Sequence, residues 1–171
     1  TNVTINGAPG APAAPAATAT AQPSCTSSTG TITVSPVVAG LTYSIDGSTY
    51  TNRTGIFNGV TAGTYNVTTK NTSGCTSNGT SVTITAQPAT PAAPAATATS
   101  QPTCTTGTGS IAVTTPVAGM TYCINGSGCV ANGVFTSLAP GTYAITAKNS
   151  SACVSTGTNV TINAAPTPPA A

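Results

Sequence analysis

The thiols of Cys25, Cys75, Cys104, Cys123, Cys129 and Cys153 are the side chains here with the most chemistry available to them. Thiols pair with one another, ligate metals or act as nucleophiles. Zinc ligation is poorly served, because the chain has no His and no CxxC pair. Disulfide bonding is the chemistry the pattern fits. Cys25 and Cys104 occupy one phase of an internal repeat, and Cys75 and Cys153 occupy another. Equivalent residues of similar units are expected to pair inside each unit, as Cys25–Cys75 and Cys104–Cys153. Cys123 and Cys129 are left, flanking a turn centred on Asn125-Gly126, where the first unit has Ser44 and Tyr50. Two cysteines gained or lost together are expected to form a hairpin disulfide. Closing a loop of about 50 residues contributes on the order of 4 kcal/mol in the chain-entropy picture. Such bonds imply an oxidising compartment.

The remaining reactive groups are few. Asp46, Arg53, Lys70 and Lys148 carry all the side-chain charge. General acid–base catalysis needs positioned titratable groups, yet the first unit has one acid, in an Asp-Gly turn that favours Asp for local geometry, and the second has Asn125 there. Serines are plentiful but lack a His for a triad. Calcium would need clustered carboxylates. Catalytic residues, metal ligands and cofactors are therefore expected to be none. A net charge of +2 gives no basic patch for nucleic acid. No apolar run approaches the ~20 residues of a membrane span. Any export signal is expected to lie outside this segment. Sequons of the N-x-S/T form at Asn52, Asn71 and Asn149, among others, leave glycosylation open.

The elements that must position these groups are strands. GTYNVTTKNTSGC at Gly63–Cys75 returns as GTYAITAKNSSAC at Gly141–Cys153, with eight of thirteen positions identical. Tyr65, Val67 and Thr69 alternate with Thr64, Asn66 and Thr68, the period-two pattern of a half-buried strand. Further strands are expected at Ala17–Gln22, Thr31–Val34, Leu41–Ile45, around Ile56–Val60 and at Ser81–Thr85. Each apolar inward position has a counterpart in the second copy, from Ile111 and Val113 to Val160 and Ile162. The fold class is all-β: tandem small Ig-like β-sandwich units, each with an internal disulfide, joined by Pro/Ala-rich spacers. In the segments Val60–Tyr65 and Leu138–Tyr143, Tyr65 and Tyr143 are candidates for a tyrosine corner, with an ordinary core tyrosine as the alternative.

The VTI triplets at Val3, Val82 and Val160 set a period of 79 and then 78 residues, and PAAPAATAT at Pro12–Thr20 recurs at Pro91–Thr99. The expected organisation is a terminal strand of a preceding unit (1–6), a Pro/Ala spacer (7–16), a first sandwich (17–85), a second spacer (86–95), a second sandwich (96–163) and the start of another spacer (164–171). The chain starts and stops at one phase of its repeat, which reads as a window on a longer array.

The run CTSSTGTITV, LTYSIDGSTYTN and GTYNVTTKNTSGC, ending in SVTI and a Pro/Ala spacer, resembles the SprB-like and related Ig-like repeats of giant surface adhesins of gliding and other Bacteroidota-type bacteria. The resemblance covers both units. It implies type IX export, display on the cell surface and tandem repetition in filamentous adhesins, and it offers no catalytic residues. The second unit departs from the motif at Cys123 and Cys129.

The expected function is that of a structural repeat in an extracellular filament or adhesin stalk, with no enzymatic activity, whose partners are neighbouring repeats or other copies of itself. Two alternatives stand beside it. One is a module binding surface glycans or another cell, through Tyr50, Arg53 and the Asn125–Cys129 hairpin. The other is a short secreted subunit that polymerises by donating Thr1–Asn6 as a strand.

Overall fold

The computed structural model describes residue 3 and residues 7–167; of the terminal strand expected at 1–6 all but Val3, and the end of the last spacer, lie outside the described residues. Among these, every regular element is a β-strand. The chain divides into two units, Thr1–Gln87 and Pro88–Ala171.

The first unit holds β1 (Ala17–Ala21), β2 (Gly30–Val34), β3 (Thr42–Ser44), β4 (Ile56–Val60), β5 (Gly63–Lys70) and β6 (Thr80–Ile84). One sheet has the order β1-β2-β4 and the other β3-β5-β6, with every pairing antiparallel. The second unit holds β7 (Ala96–Ser100), β8 (Gly109–Val113), β9 (Thr121–Ile124), β10 (Ser127–Val130), β11 (Val134–Leu138), β12 (Gly141–Lys148) and β13 (Thr158–Ile162). Its sheets run β11-β8-β7 and β10-β9-β12-β13. The extra strand β10 is the second arm of the Cys123–Cys129 hairpin. In the first unit the corresponding stretch makes only an isolated bridge, Tyr43 to Asn52.

Alternation places the core. In the first unit Ile32 and Val34 of β2 meet Tyr43, Val67, Val82 and Ile84 of the opposite sheet. In the second, Ile111 and Val113 meet Tyr122, Ile145, Val160 and Ile162. Ile32, Val67, Ile111 and Ile145 are fully enclosed, each such side chain stabilising by about 1.5–3 kcal/mol. Close approach at the start of the central strands β2 and β8 requires glycine at Gly30 and Gly109. A Cβ there would stand 2.6 Å from the carbonyl oxygen of Ala21 or Ser100 and 3.0 Å from Cδ1 of Ile84 or Ile162.

The Pro/Ala runs behave differently from free spacers. Thr69 Oγ1, Asn71 Nδ2 and Thr80 Oγ1 donate to the carbonyls of Ala13, Gly10 and Pro15, and Ser35 N donates to Ala16. The second unit repeats this with Asn149 Nδ2 to Ala89, Thr158 Oγ1 to Pro94 and Thr114 N to Ala95. Pro15 and Pro94 are buried. Each run therefore lies along the unit that follows it, and its proline-fixed backbone presents carbonyls that the polar Thr and Asn side chains satisfy.

Candidate functional site

The repeat cysteines Cys25, Cys75, Cys104 and Cys153 lie at two opposite poles of their units. At one pole the chain enters. There β5 ends at Lys70 and the loop Asn71–Cys75 follows, with Asn71 Oδ1 accepting from Cys75 N at 2.9 Å and Cys75 Sγ 3.4 Å from the Pro9 carbonyl oxygen. The second unit copies the loop: Asn149 Oδ1 accepts from Cys153 N at 2.9 Å, and Cys153 Sγ lies 3.8 Å from the Pro88 carbonyl oxygen. At the other pole the chain leaves. Gln22 spans from β1 to β6, donating through Nε2 to Thr83 O and accepting at Oε1 from Thr85 N, 2.9 Å away. Just beyond, the Cys25 carbonyl accepts from Gln87 Nε2 at 3.2 Å. In the second unit Gln101 bridges Thr161 and Asn163 in the same way, and Cys104 Sγ is 3.7 Å from the Pro166 carbonyl oxygen.

This arrangement corrects the expected pairing. Cys75 and Cys104 are free thiols, while Cys25 and Cys153 are disulfide-bonded, so neither Cys25–Cys75 nor Cys104–Cys153 forms. The reason is the length of the central strand. Cys25 belongs to the pole where Gly63 pairs with Ile84, and Cys75 to the pole beyond Lys70. The eight residues of β5 separate them by roughly 23 Å at the rise of an extended strand. A disulfide requires Cα atoms within about 7 Å. Repeat phase alone fixes which cysteines are equivalent, and leaves open whether equivalent pairs close within a unit or between units.

The third pair forms as the sequence suggests: Cys123 and Cys129 are bonded across β9 and β10, with Cα atoms 4.0 Å apart. Asn125 enters the left-handed region (φ 48°) beside Gly126 (φ 76°), the conformation of a tight hairpin turn, and its Oδ1 accepts from Ala144 N of β12 at 2.9 Å.

In the first unit polar contacts hold the same hairpin. Asp46 Oδ1 accepts from Ser44 Oγ at 2.6 Å, Thr49 N at 2.7 Å and Ser48 N at 2.8 Å. The Ser44 hydroxyl foremost, then the Thr49 and Ser48 amides, hold the exposed Asp46 carboxyl well below the usual carboxylate range. Tyr50, which stands where Cys129 does in the other unit, shares a 2.8 Å hydrogen bond between its hydroxyl and Thr68 Oγ1, and Lys70 Nζ sits 5.3 Å over its ring.

Tyr65 and Tyr143 each donate from the phenolic hydroxyl to a carbonyl four residues upstream, Thr61 O at 2.9 Å and Ala139 O at 2.8 Å, the geometry of a tyrosine corner. A second repeated tyrosine pair was not anticipated. Tyr43 and Tyr122 are buried, and their hydroxyls accept from Val38 N at 2.8 Å and Val117 N at 2.7 Å. The Gln22 and Gln101 bridges were missed as well. Their signal was present in the sequence, since each Gln closes the same ATAT run just before a Pro.

The residues proposed for ligand contact divide. Arg53 and Lys70 line one cleft of about 360 Å³ with Val37–Thr42 and Asn71. Tyr50 faces Thr68 and Lys70, and the Asn125–Cys129 hairpin belongs to the second unit. Asn52, Asn71 and Asn149, all within sequons, use their amide nitrogens on backbone carbonyls.

No protein-family model matches the chain, and no curated protein sequence matches it. Among solved structures it is similar to the FN1–FN3 domains of chicken CNTN1, at 15% identity and a TM-score of 0.39, covering 94% of this chain and 70% of that one. It is also similar to the fibronectin(III)-like modules of Clostridium thermocellum CbhA, at 14% identity and a TM-score of 0.36, covering 80% of this chain and 85% of that one. A third likeness is to the BSP domain of a biofilm associated protein, at 16% identity and a TM-score of 0.29, over 91% of this chain and 30% of that one. The sandwich assignment rests on the strand pairing and the two cores described above.

Proposed function

We propose that this chain is a length-making structural segment of an extracellular surface filament or adhesin stalk, of the SprB-like Bacteroidota type, and that it performs no catalysis. The observation that carries this reading is repetition below the level of the strands. The Gln bridge, the buried Tyr43 and Tyr122 hydroxyls, the tyrosine corners and the hydrogen bonds holding each Pro/Ala run all occur twice at equivalent positions. What is duplicated so closely is the frame. What differs between the copies is a hairpin and the charges of Asp46 and Arg53. A protein whose task is to span distance is expected to conserve frame over surface in this way. With one acid and no His in the chain, the composition gives little support to general acid–base work. The Pro/Ala runs add to this reading, since each is hydrogen-bonded along its own unit.

The test is electron microscopy of the purified chain at high concentration. Uniform rods are expected; freely jointed beads with no preferred spacing would overturn the reading.

A second reading, a module binding acidic surface glycans, draws on the cleft that gathers Arg53 and Lys70. Glycan-array binding that Arg53→Ala abolishes would favour it over a purely structural role.

A further inference from the structure

We propose that the first unit carries a site for a uronic acid residue of an acidic polysaccharide, in which Arg53 and Lys70 hold the sugar carboxylate and Tyr50 positions the lysine. The proposal deepens the second reading above and rests on it.

Charge placement points to it first. The chain has three cationic side chains in 171 residues, and two of them, Arg53 and Lys70, line one cleft. The one acid is committed elsewhere. Asp46 lines a different cleft with Thr49, Asn52 and Phe57, and its Oδ1 accepts from Ser44, Ser48 and Thr49. Two positive charges on one concave space, with the unit's negative charge engaged outside it, favour an anion from solution.

Both cations stand on fastened backbone. Asn52 Oδ1 accepts from Thr54 N and Gly55 N, each at 2.9 Å, and Asn52 O accepts from Tyr43 N at 2.8 Å. Arg53 therefore sits in a loop anchored on either side of it. Lys70 closes β5, where it pairs with Thr42 of β3. Its ammonium lies 5.3 Å over the Tyr50 ring, and the Tyr50 hydroxyl shares a 2.8 Å hydrogen bond with Thr68 Oγ1. The ring attracts the ammonium, so part of the ordering that binding demands of a long side chain is done in advance.

The second unit supplies the contrast. It keeps Lys148 at the end of β12, but Cys129 stands in place of Tyr50 and the unit has no arginine. Its hairpin is closed by the Cys123–Cys129 bond. The hairpin of the first unit thus supplies the ring that positions Lys70 and leads directly into Arg53, and the stapled hairpin supplies neither.

The walls select among anions. A guanidinium offers a carboxylate two parallel N–H donors. Beside the cations the cleft presents Val38 and Leu41 as apolar wall and Thr42 and Thr72 as hydrogen-bonding groups. Its volume, about 360 Å³, falls within the ~300–1,000 Å³ of small-molecule sites. A uronic acid residue has parts for each: one carboxylate, a set of hydroxyls and a ring face of C–H groups. An acidic peptide brings carboxylates on flexible stems and would use the cations alone.

The experiment titrates trigalacturonate, its methyl ester, a triglutamate peptide and sodium sulfate separately into the isotope-labelled full chain, with backbone amides followed by NMR. Saturable shifts with trigalacturonate are expected at Thr42, Arg53 and Lys70 and not at Lys148, weakening as salt rises, with the other three probes binding less tightly. Arg53→Ala should weaken trigalacturonate binding about tenfold. Tyr50→Leu should weaken it about threefold, and Tyr50→Phe, which keeps the ring, should restore it. Equal binding of the methyl ester, of triglutamate or of sulfate would each overturn the proposal, the first by removing the carboxylate, the second by making this a peptide site and the third by leaving an anion site with no sugar recognition. Shifts as large at Lys148 as at Lys70 would overturn it too, and a Tyr50→Phe variant as weak as Tyr50→Leu would remove the positioning role of the ring. A glycan array separates this failure from that of the reading beneath it. Sulfated glycans bound through Arg53, with uronates ignored, would sink the proposal and keep the reading, whereas an array on which no acidic glycan is bound would sink both.

Discussion

The hairpin at 44–50 and the hairpin at 123–129 fill the same place in two copies of one frame and are held by different means. In the first copy the Asp46 carboxylate gathers two amides and the Ser44 hydroxyl, and Tyr50 reaches across to Thr68. In the second a disulfide links the two arms. The exchange leaves a mark beneath it. Thr146 occupies the place of Thr68, but its counterpart to Tyr50 is Cys129, and its buried hydroxyl has no hydrogen-bond partner among the described residues. A covalent bond replaced a polar network at the rim and stranded a hydroxyl below it. The lesson is that the frame tolerates either solution because both act on the hairpin alone: the strands beneath, β5 and β12, keep matching registers with β6 and β13.

The largest test of that equivalence is removal of the bond. Replacing Cys123 and Cys129 together by Ala opens a loop whose closure is worth about 2 kcal/mol in the chain-entropy picture. The expected result is a loss near that size confined to the second unit, read by amide exchange resolved between the units. A loss spread equally over both units would show that the hairpin is no local feature. The reciprocal variant sharpens the point. Ser44→Cys with Tyr50→Cys should bridge the first hairpin but strand Thr68, so its net gain should fall short of what the second unit loses.

Much of this was readable from residue order. Alternation at Tyr65-Asn66-Val67 located the central strand, the paired change of Ser44 and Tyr50 to cysteines signalled the hairpin bond, and Gly-Thr-Tyr offered the tyrosine hydroxyl contacts as one of two readings. The pairing of the repeat cysteines was not readable, because phase is a one-dimensional property and the span of β5 between Cys25 and Cys75 is a distance. The docking of the Pro/Ala runs was hidden for a related reason. Their own sequence carries no period, and the residues that hold them, Thr69, Asn71 and Thr80, lie more than fifty positions away. The hydroxyl contacts of Tyr43 and Tyr122 leave no trace in residue order because their partners are backbone amides, which no side-chain pattern reveals.

A smaller effect should appear with opposite sign in the two copies. Thr146→Val removes an unsatisfied buried hydroxyl and fills its space with a methyl group, in a strand where a β-branched residue belongs. It is expected to stabilise the second unit by about 1 kcal/mol. Thr68→Val breaks the hydrogen bond to Tyr50 and is expected to destabilise the first unit by about as much. Equilibrium denaturation of the two variants against wild type checks this directly. Shifts of the same sign would mean that the Tyr50 contact does not distinguish the copies.

The subtlest difference is one of pH. In the unfolded chain the Asp46 carboxyl titrates near 3.8, and in the folded unit its hydrogen bonds hold it lower. A depressed folded value means that the folded state binds the proton less readily than the unfolded state. The stabilisation from Asp46 is therefore complete above about pH 4 and drains away as acid carries the solution down towards the folded value. The second unit has Asn125 at that turn, which takes up no proton, so its hairpin should be indifferent to the same change. Amide exchange of the Ser48 and Thr49 backbone, which donate to the carboxylate, should accelerate between about pH 5 and about pH 2 beyond the intrinsic pH dependence of exchange, and that of the second hairpin should not. Asp46→Asn should remove the acid sensitivity of the first unit. If the acid response survived that change, the carboxylate would not be what holds the first hairpin, and the contrast between a charged clasp and a covalent one would have to be drawn from Tyr50 alone.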